Sequence, residues 1–158
     1  MARIGILTCS NTTQDSGCSS FMCLQGVNEN SGEFARYNDQ GGSELMGIIN
    51  CAGCPTAVAP EKLLRRVRSL SFSQLDAIHL SSCMLALCPF KNKYTQLLKK
   101  HFPDINIVQG THDAESPELV RMFIDGMHDM LTQPQMTMAD LGQQRMEQIK
   151  AGELANNP

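Results

Sequence analysis

The chain has 158 residues, a net charge of −3 and seven cysteines, with 42% hydrophobic and 18% charged residues. That length fits one domain with a core of its own, and that composition excludes a disordered chain. No apolar run approaches the roughly 18 residues needed to span a bilayer. The N-terminus also lacks the apolar stretch and cleavage site of a signal peptide, so a cytoplasmic location is the default expectation.

In chain order, a first strand is predicted over Ile4–Leu7 and a short helix over Phe21–Val27. Asn28–Glu44 reads as a long irregular connection around Phe34 and Tyr37. A connection that long inside a compact domain is functional or carries structure that periodicity does not reveal. A second strand follows at Leu45–Ile49. Pro60–Leu70 sets Leu63, Leu64, Val67 and Leu70 at helical spacing, with Pro60 suited to the first turn. A third strand falls at Ala77–Leu80, and a helix over Pro89–Phe102 gathers Phe90, Tyr94, Leu97, Leu98 and Phe102 on one face. The fourth strand is Ile105–Val108. Ser116 as N-cap and Pro117 open a helix that runs to Leu131. A tail from Thr132 holds one more helix near Met138–Ile149 and a frayed polar end.

Short runs of Ile, Leu and Val suit strands buried on both faces, as in a parallel sheet. Their alternation with helices predicts an α/β fold: an open, mostly parallel four-stranded sheet with flanking helices. The arrangement is flavodoxin- or Rossmann-like, in three layers, with extra C-terminal helices. One α/β domain is placed at residues 1–132 and a helical tail at 133–158. The tail's stripe of Met138, Leu141, Met146 and Ile149 has two uses: packing on its own sheet, or a homodimer through the C-terminal helices. Residues 60–101 carry eight of the thirteen Lys and Arg residues. Two solvated helix faces explain that excess; without Trp or interleaved aromatics, no nucleic-acid partner is expected.

The cysteines carry the most information. An odd count in a cytoplasmic chain points to free thiols. Free cysteine is often simply a small buried hydrophobe, but filler would scatter along strands and helices. Here Cys9 follows the first strand, Cys51 and Cys54 the second, and Cys83 and Cys88 the third, while Gly110-Thr111-His112 follows the fourth. Cys18 and Cys23 lie on the first crossover. In a parallel sheet all C-terminal strand ends share one edge, where open α/β sheets bind ligands. Cys9, Cys51, Cys83 and His112 are therefore expected at one crevice. Thiolate and imidazole are zinc ligands, and thiolates alone suit iron–sulfur clusters. Cys51, Cys54, Cys83 and Cys88 rank first as ligands. Cys9, Cys18, Cys23 and His112 complete that site or a second one. His79 reads as a satisfied core or surface histidine, His101 as a partner of its helix C-terminus, and His128 as a surface residue.

These residues resemble the CGGC-domain family, a prokaryotic group named for a central Cys-Gly-Gly-Cys followed by Pro. Here that segment reads Cys51-Ala52-Gly53-Cys54-Pro55. Alanine in place of the first glycine implies an ordinary negative φ at position 52. Ile4-Gly5-Ile6 leading to Cys9, Cys23-Leu24, Asn28 and Gly32-x-Phe34-x-Arg36-Tyr37 are similar to the family's opening blocks. His79-Leu80-Ser81-Ser82-Cys83, Cys88-Pro89-Phe90 and Gly110-Thr111-His112 are similar to its later ones, over about residues 3–112. The resemblance implies metal binding, usually suggested as zinc, with no established reaction and no assigned catalytic residue.

Two other classes compete. A thiol–disulfide redox protein would cycle Cys51 and Cys54 near a helix start. A flavodoxin-like nucleotide or flavin binder would cradle phosphate with Ser10-Asn11-Thr12-Thr13. A cysteine phosphatase is disfavoured, because no Arg or Lys lies between Cys9 and Cys18 to hold the dianion.

Overall fold

The computed structural model describes residues 1–15, 17–112 and 138–150. Four strands, β1 (Ala2–Thr8), β2 (Ser43–Asn50), β3 (Ala77–Leu80) and β4 (Asn106–Gln109), form an open, all-parallel sheet in the order β2-β1-β3-β4. The helices are α1 (Phe21–Glu29), α2 (Glu61–Ser71), α3 (Ser82–Leu87), α4 (Lys91–His101) and α5 (Met138–Lys150). The predicted α/β class and strand count hold. β1 and β2 outrun their apolar runs, because backbone pairing continues from Ala2↔Ser43 to Thr8↔Asn50. The helix expected over Ser116–Leu131 and the boundary at residue 132 lie outside the described residues. No helix among the described residues is long and apolar enough to cross a membrane.

Two buried clusters lie against the sheet. Leu7, Ile78 and Leu80 pack with Leu63, Leu64, Val67 and Leu70 of α2, Met84 of α3, and Tyr94 and Leu98 of α4. Ile4 and Ile6 pack with Cys23 and Val27 of α1 and with Phe34 and Tyr37. The alternation of Ile4 and Ile6 with Leu7 is the period-two signature of a strand buried on both faces. α1 therefore joins β1 to β2 on one face, and α2 and α4 make the next crossovers on the other. That is the right-handed solution for a chain that reverses direction after β2. Gly5 and Gly47 are register partners, and a Cβ on either would meet the Leu70 side chain, at 2.6 Å and 2.9 Å. Their bare backbones let α2 lie close to the sheet.

Two expectations need correction. Pro89–Phe102 holds one helix, α4, which starts only at Lys91, and a separate short helix that the apolar spacing did not suggest, α3, precedes it. Cys88 is extended (φ −80°, ψ 115°), as the residue before a proline prefers, so α3 ends and α4 starts afresh at Lys91. The connection Asn28–Glu44 is not irregular throughout: Gly32–Gln40 forms a 3-10 helical stretch that buries Phe34 and Tyr37. With three residues per turn, those two rings eclipse on one side, but two apolar positions among polar neighbours are too few to mark a period.

Strand order reverses between β1 and β3, so the loops after them diverge and open a crevice at the C-terminal edge.

Candidate metal centre

The edge carries Cys51, Cys9, Cys83 and His112 in that order, one after each strand, and all seven cysteines are free thiols. They do not form one cluster. Two groups flank the crevice, bridged by Thr12 of the β1 loop, whose hydroxyl lies 3.5 Å from Cys83 Sγ.

The first group is built on the β1–β2 ladder. The Cys51 N–H donates to Thr8 O at 3.0 Å, which extends the strand pairing by one residue and sets Cys51 beside Cys9. Both are buried on the α2 face. The Ser10 N–H donates to Cys51 Sγ at 3.4 Å, and the Cys9 thiol is the group that acts most strongly on Cys51 through hydrogen bonding. The bond from Cys9 lowers the Cys51 pKa below the ordinary thiol value; the backbone N–H groups of Ser10 and Gly53 act in the same sense. The same bond, with burial, raises that of Cys9. The pair thus favours one thiolate, on Cys51, with the remaining proton on Cys9. Cys88 is an electrostatic neighbour of Cys9, Cys51 and Cys54, and burial raises its pKa. Cys54 is exposed, and Asn11 Nδ2 donates to its sulfur at 3.6 Å.

The turn from Cys51 to Cys54 overturns one expectation. Ala52 has φ 65°, not a negative value, and Gly53 follows at φ 91°. The Ala52 N–H donates to Asn50 Oδ1 at 3.2 Å, while the Thr56 hydroxyl bonds to Cys51 O at 3.1 Å and Gly53 O at 2.6 Å. These bonds hold a non-glycine residue in a left-handed conformation. The expected helix start is also weaker than supposed, because Cys54–Ala57 is one 3-10 turn and α2 begins only at Glu61. The lowered Cys51 pKa therefore comes from a thiol and backbone N–H groups, not from a helix dipole.

The second group lies across the crevice. Cys23 Sγ is 3.8 Å from His112 Nδ1 and 3.5 Å from Thr111 Oγ1, and burial raises its pKa to about 11. Cys18 and Cys83 are its electrostatic neighbours. Thr111 also meets the Ser82 hydroxyl at 3.2 Å, and Ser82 Oγ donates to His112 O at 2.9 Å. Cys83, half-buried, packs against the cluster that holds Cys9 and Cys51, and its charge is also felt at Cys23.

The hydroxyls of the β1 loop turn inward. Thr12 and Thr13 both donate to Cys9 O, at 2.9 Å and 3.0 Å, and Ser10 donates to Gln14 Oε1 at 3.0 Å. Bonds of this kind shape the loop around Cys9 and engage the hydroxyl protons a phosphate would use.

Sequence reasoning missed the support. Tyr94 from α4 meets Thr56 Oγ1 at 2.7 Å, fully buried beside Cys51, Cys54 and Cys88. Its only signal was a helical apolar stripe, which reads as core. His79 is a satisfied core histidine, as expected. Its Nδ1–H donates to Gly110 O at 2.8 Å, and its Nε2 accepts from the Tyr37 hydroxyl at 2.9 Å. It thereby anchors the backbone that leads to Thr111 and His112.

Among the described residues, no three His, Cys, Asp or Glu side chains stand close enough together to hold an ion as they are. The donor chemistry of the first group nevertheless fits a soft cation: two buried cysteines at adjacent strand ends, Cys88 packed against the same cluster, and exposed Cys54 on the turn from Cys51.

An uncharacterized protein of Methanocaldococcus jannaschii is 31% identical over 119 residues, covering 70% of this chain and 86% of that protein. No solved structure matches the chain significantly. The CGGC domain matches residues 3–112, which hold the sheet except Ala2, all seven cysteines and His112. The chain belongs to the CGGC-domain family.

Proposed function

We propose that this chain is a zinc-binding protein that holds the ion with Cys9 after β1, Cys51 and Cys54 after β2, and Cys88 at the α3–α4 junction. The CGGC domain is linked with metal binding in general; the metal and the ligands are our reading. One observation carries it: the β1–β2 pairing sets Cys9 and Cys51 side by side in one buried cluster, where the Ser10 N–H donates to Cys51 Sγ at 3.4 Å and so favours its thiolate. Metal ligation requires the thiolate, so a site that already favours it loses less free energy to deprotonation at neutral pH. Cys54, exposed on its turn, and Cys88, before Pro89, supply the further sulfurs. Four sulfurs suit a closed tetrahedral zinc site. When bound, zinc would cross-link the β1 loop, the β2 turn and the α3–α4 junction.

The test is elemental analysis with an absorption spectrum on protein purified without oxygen. One zinc per chain is expected, with no visible colour; an iron–sulfur cluster on the same sulfurs would be brown. Cys51→Ser and Cys54→Ser should each lose the metal. A folded chain that takes up no metal on reconstitution would overturn the proposal.

A further inference from the structure

We propose that Cys9 and Cys51 are a redox-modified pair that closes to a reversible disulfide, making the same site responsive to hydrogen peroxide. The argument is geometric. β1 and β2 are in register through Thr8↔Asn50, and the bond from the Cys51 N–H to Thr8 O carries that register to the next position. Neighbouring parallel strands lie about 4.8 Å apart, which falls within the Cα separation a disulfide needs. Cys9 and Cys51 share one buried cluster, and the N–H of Ser10, the residue next to Cys9, donates to Cys51 Sγ at 3.4 Å. The strand pairing itself brings the two residues together. Cys54, the partner that Cys-x2-Cys spacing suggests, is instead exposed and held toward Asn11.

The oxidant is hydrogen peroxide, small enough to reach buried sulfur. One thiol attacks a peroxide oxygen; the O–O bond breaks, a sulfenic acid forms, and the other oxygen leaves as water. The second thiol displaces the sulfenic oxygen, which leaves as a second water, and the S–S bond forms. The sulfurs lose two electrons and two protons in all, and the peroxide is reduced to two waters. A low-molecular-weight thiol reverses the step. The pair itself does not depend on zinc; only the consequence, that closing it removes two ligands and releases the ion, rests on the function proposed above.

The experiment treats reduced, metal-free full-length chain with hydrogen peroxide, alkylates the remaining thiols, and maps cross-linked peptides after non-reducing digestion. The expected result is the loss of two thiols and a Cys9–Cys51 peptide, restored by dithiothreitol. The same peptide should appear in Cys54→Ser and Cys88→Ser, which leave both pair members in place. A Cys51–Cys54 cross-link as the main product, or over-oxidation of Cys51 without any cross-link, overturns the proposal. A zinc-loaded sample separates the two readings. Zinc release in step with the cross-link supports both. A chain that takes up no zinc yet forms the Cys9–Cys51 bond sinks the zinc reading alone. Zinc uptake without that bond sinks the pair alone.

Discussion

The hydroxyl of Tyr37 donates to Nε2 of His79 at 2.9 Å, in a site with no solvent exposure at the imidazole. Burial is the main reason that His79 stays neutral, with its pKa lowered to about 4; the Gly110 carbonyl opposes the shift. The unfolded chain binds this proton near the ordinary histidine value, while the folded chain refuses it. Stability from this site is therefore fully present above about pH 6.5 and is lost as pH falls toward 4. The expected loss is about 2 kcal/mol between pH 7.5 and pH 5. Urea unfolding at the two pH values checks it, and His79→Gln should flatten that dependence while lowering stability at pH 7.5.

Ala52 sits at φ 65° where the family motif has glycine. A left-handed alanine costs roughly 1–2 kcal/mol, and glycine returns roughly 0.5–1 kcal/mol of that as unfolded-chain entropy. Ala52→Gly should therefore stabilise metal-free chain by about 0.5–1 kcal/mol, read as a higher denaturation midpoint. A lower midpoint would show that the alanine methyl is packed rather than strained.

Gly5 and Gly47 bracket the two methyls of Leu70, so the side chain cannot swing away from one without meeting the other. Gly5→Ala should cost about 1–3 kcal/mol through overpacking. Adding Leu70→Ala should recover part of that cost, giving a non-additivity of about 1 kcal/mol in a double-mutant cycle. Additive losses would contradict the contact.

Thr56 bonds Cys51 O, Gly53 O and the Tyr94 hydroxyl from a position that is 1% exposed. Thr56→Val leaves buried polar groups without that partner and should cost about 1–3 kcal/mol. It should also weaken metal uptake, since the turn between Cys51 and Cys54 loses its brace. Thr56→Ser keeps the hydroxyl and should restore metal uptake.

Cys51 owes its lowered pKa first to Cys9. In metal-free chain, Cys9→Ala should move the pH midpoint of Cys51 alkylation upward, toward that of an ordinary thiol. The readout is modification of the Cys51 peptide as a function of pH. An unchanged midpoint would assign the effect to the Ser10 and Gly53 N–H groups alone.

The sequence by itself determined the α/β class, the number of strands in the sheet and the edge on which the cysteines gather. Runs such as Ile4–Leu7 and Ala77–Leu80 have only one stable use, burial on both faces of a parallel sheet, and each βα unit then delivers its next residue to the same edge. The 3-10 stretch around Phe34 and Tyr37 escaped, because two apolar positions are too few to mark a period. So did α3, because Ser82–Leu87 is too short to show a helical period. The tertiary structure alone decided which sulfurs meet. Strand order β2-β1-β3-β4 puts Cys9 beside Cys51 in one buried cluster and leaves Cys23 in the cluster on the other face of the sheet. That order follows from the face each crossover helix takes, a choice made by packing between segments distant in sequence rather than by local spacing.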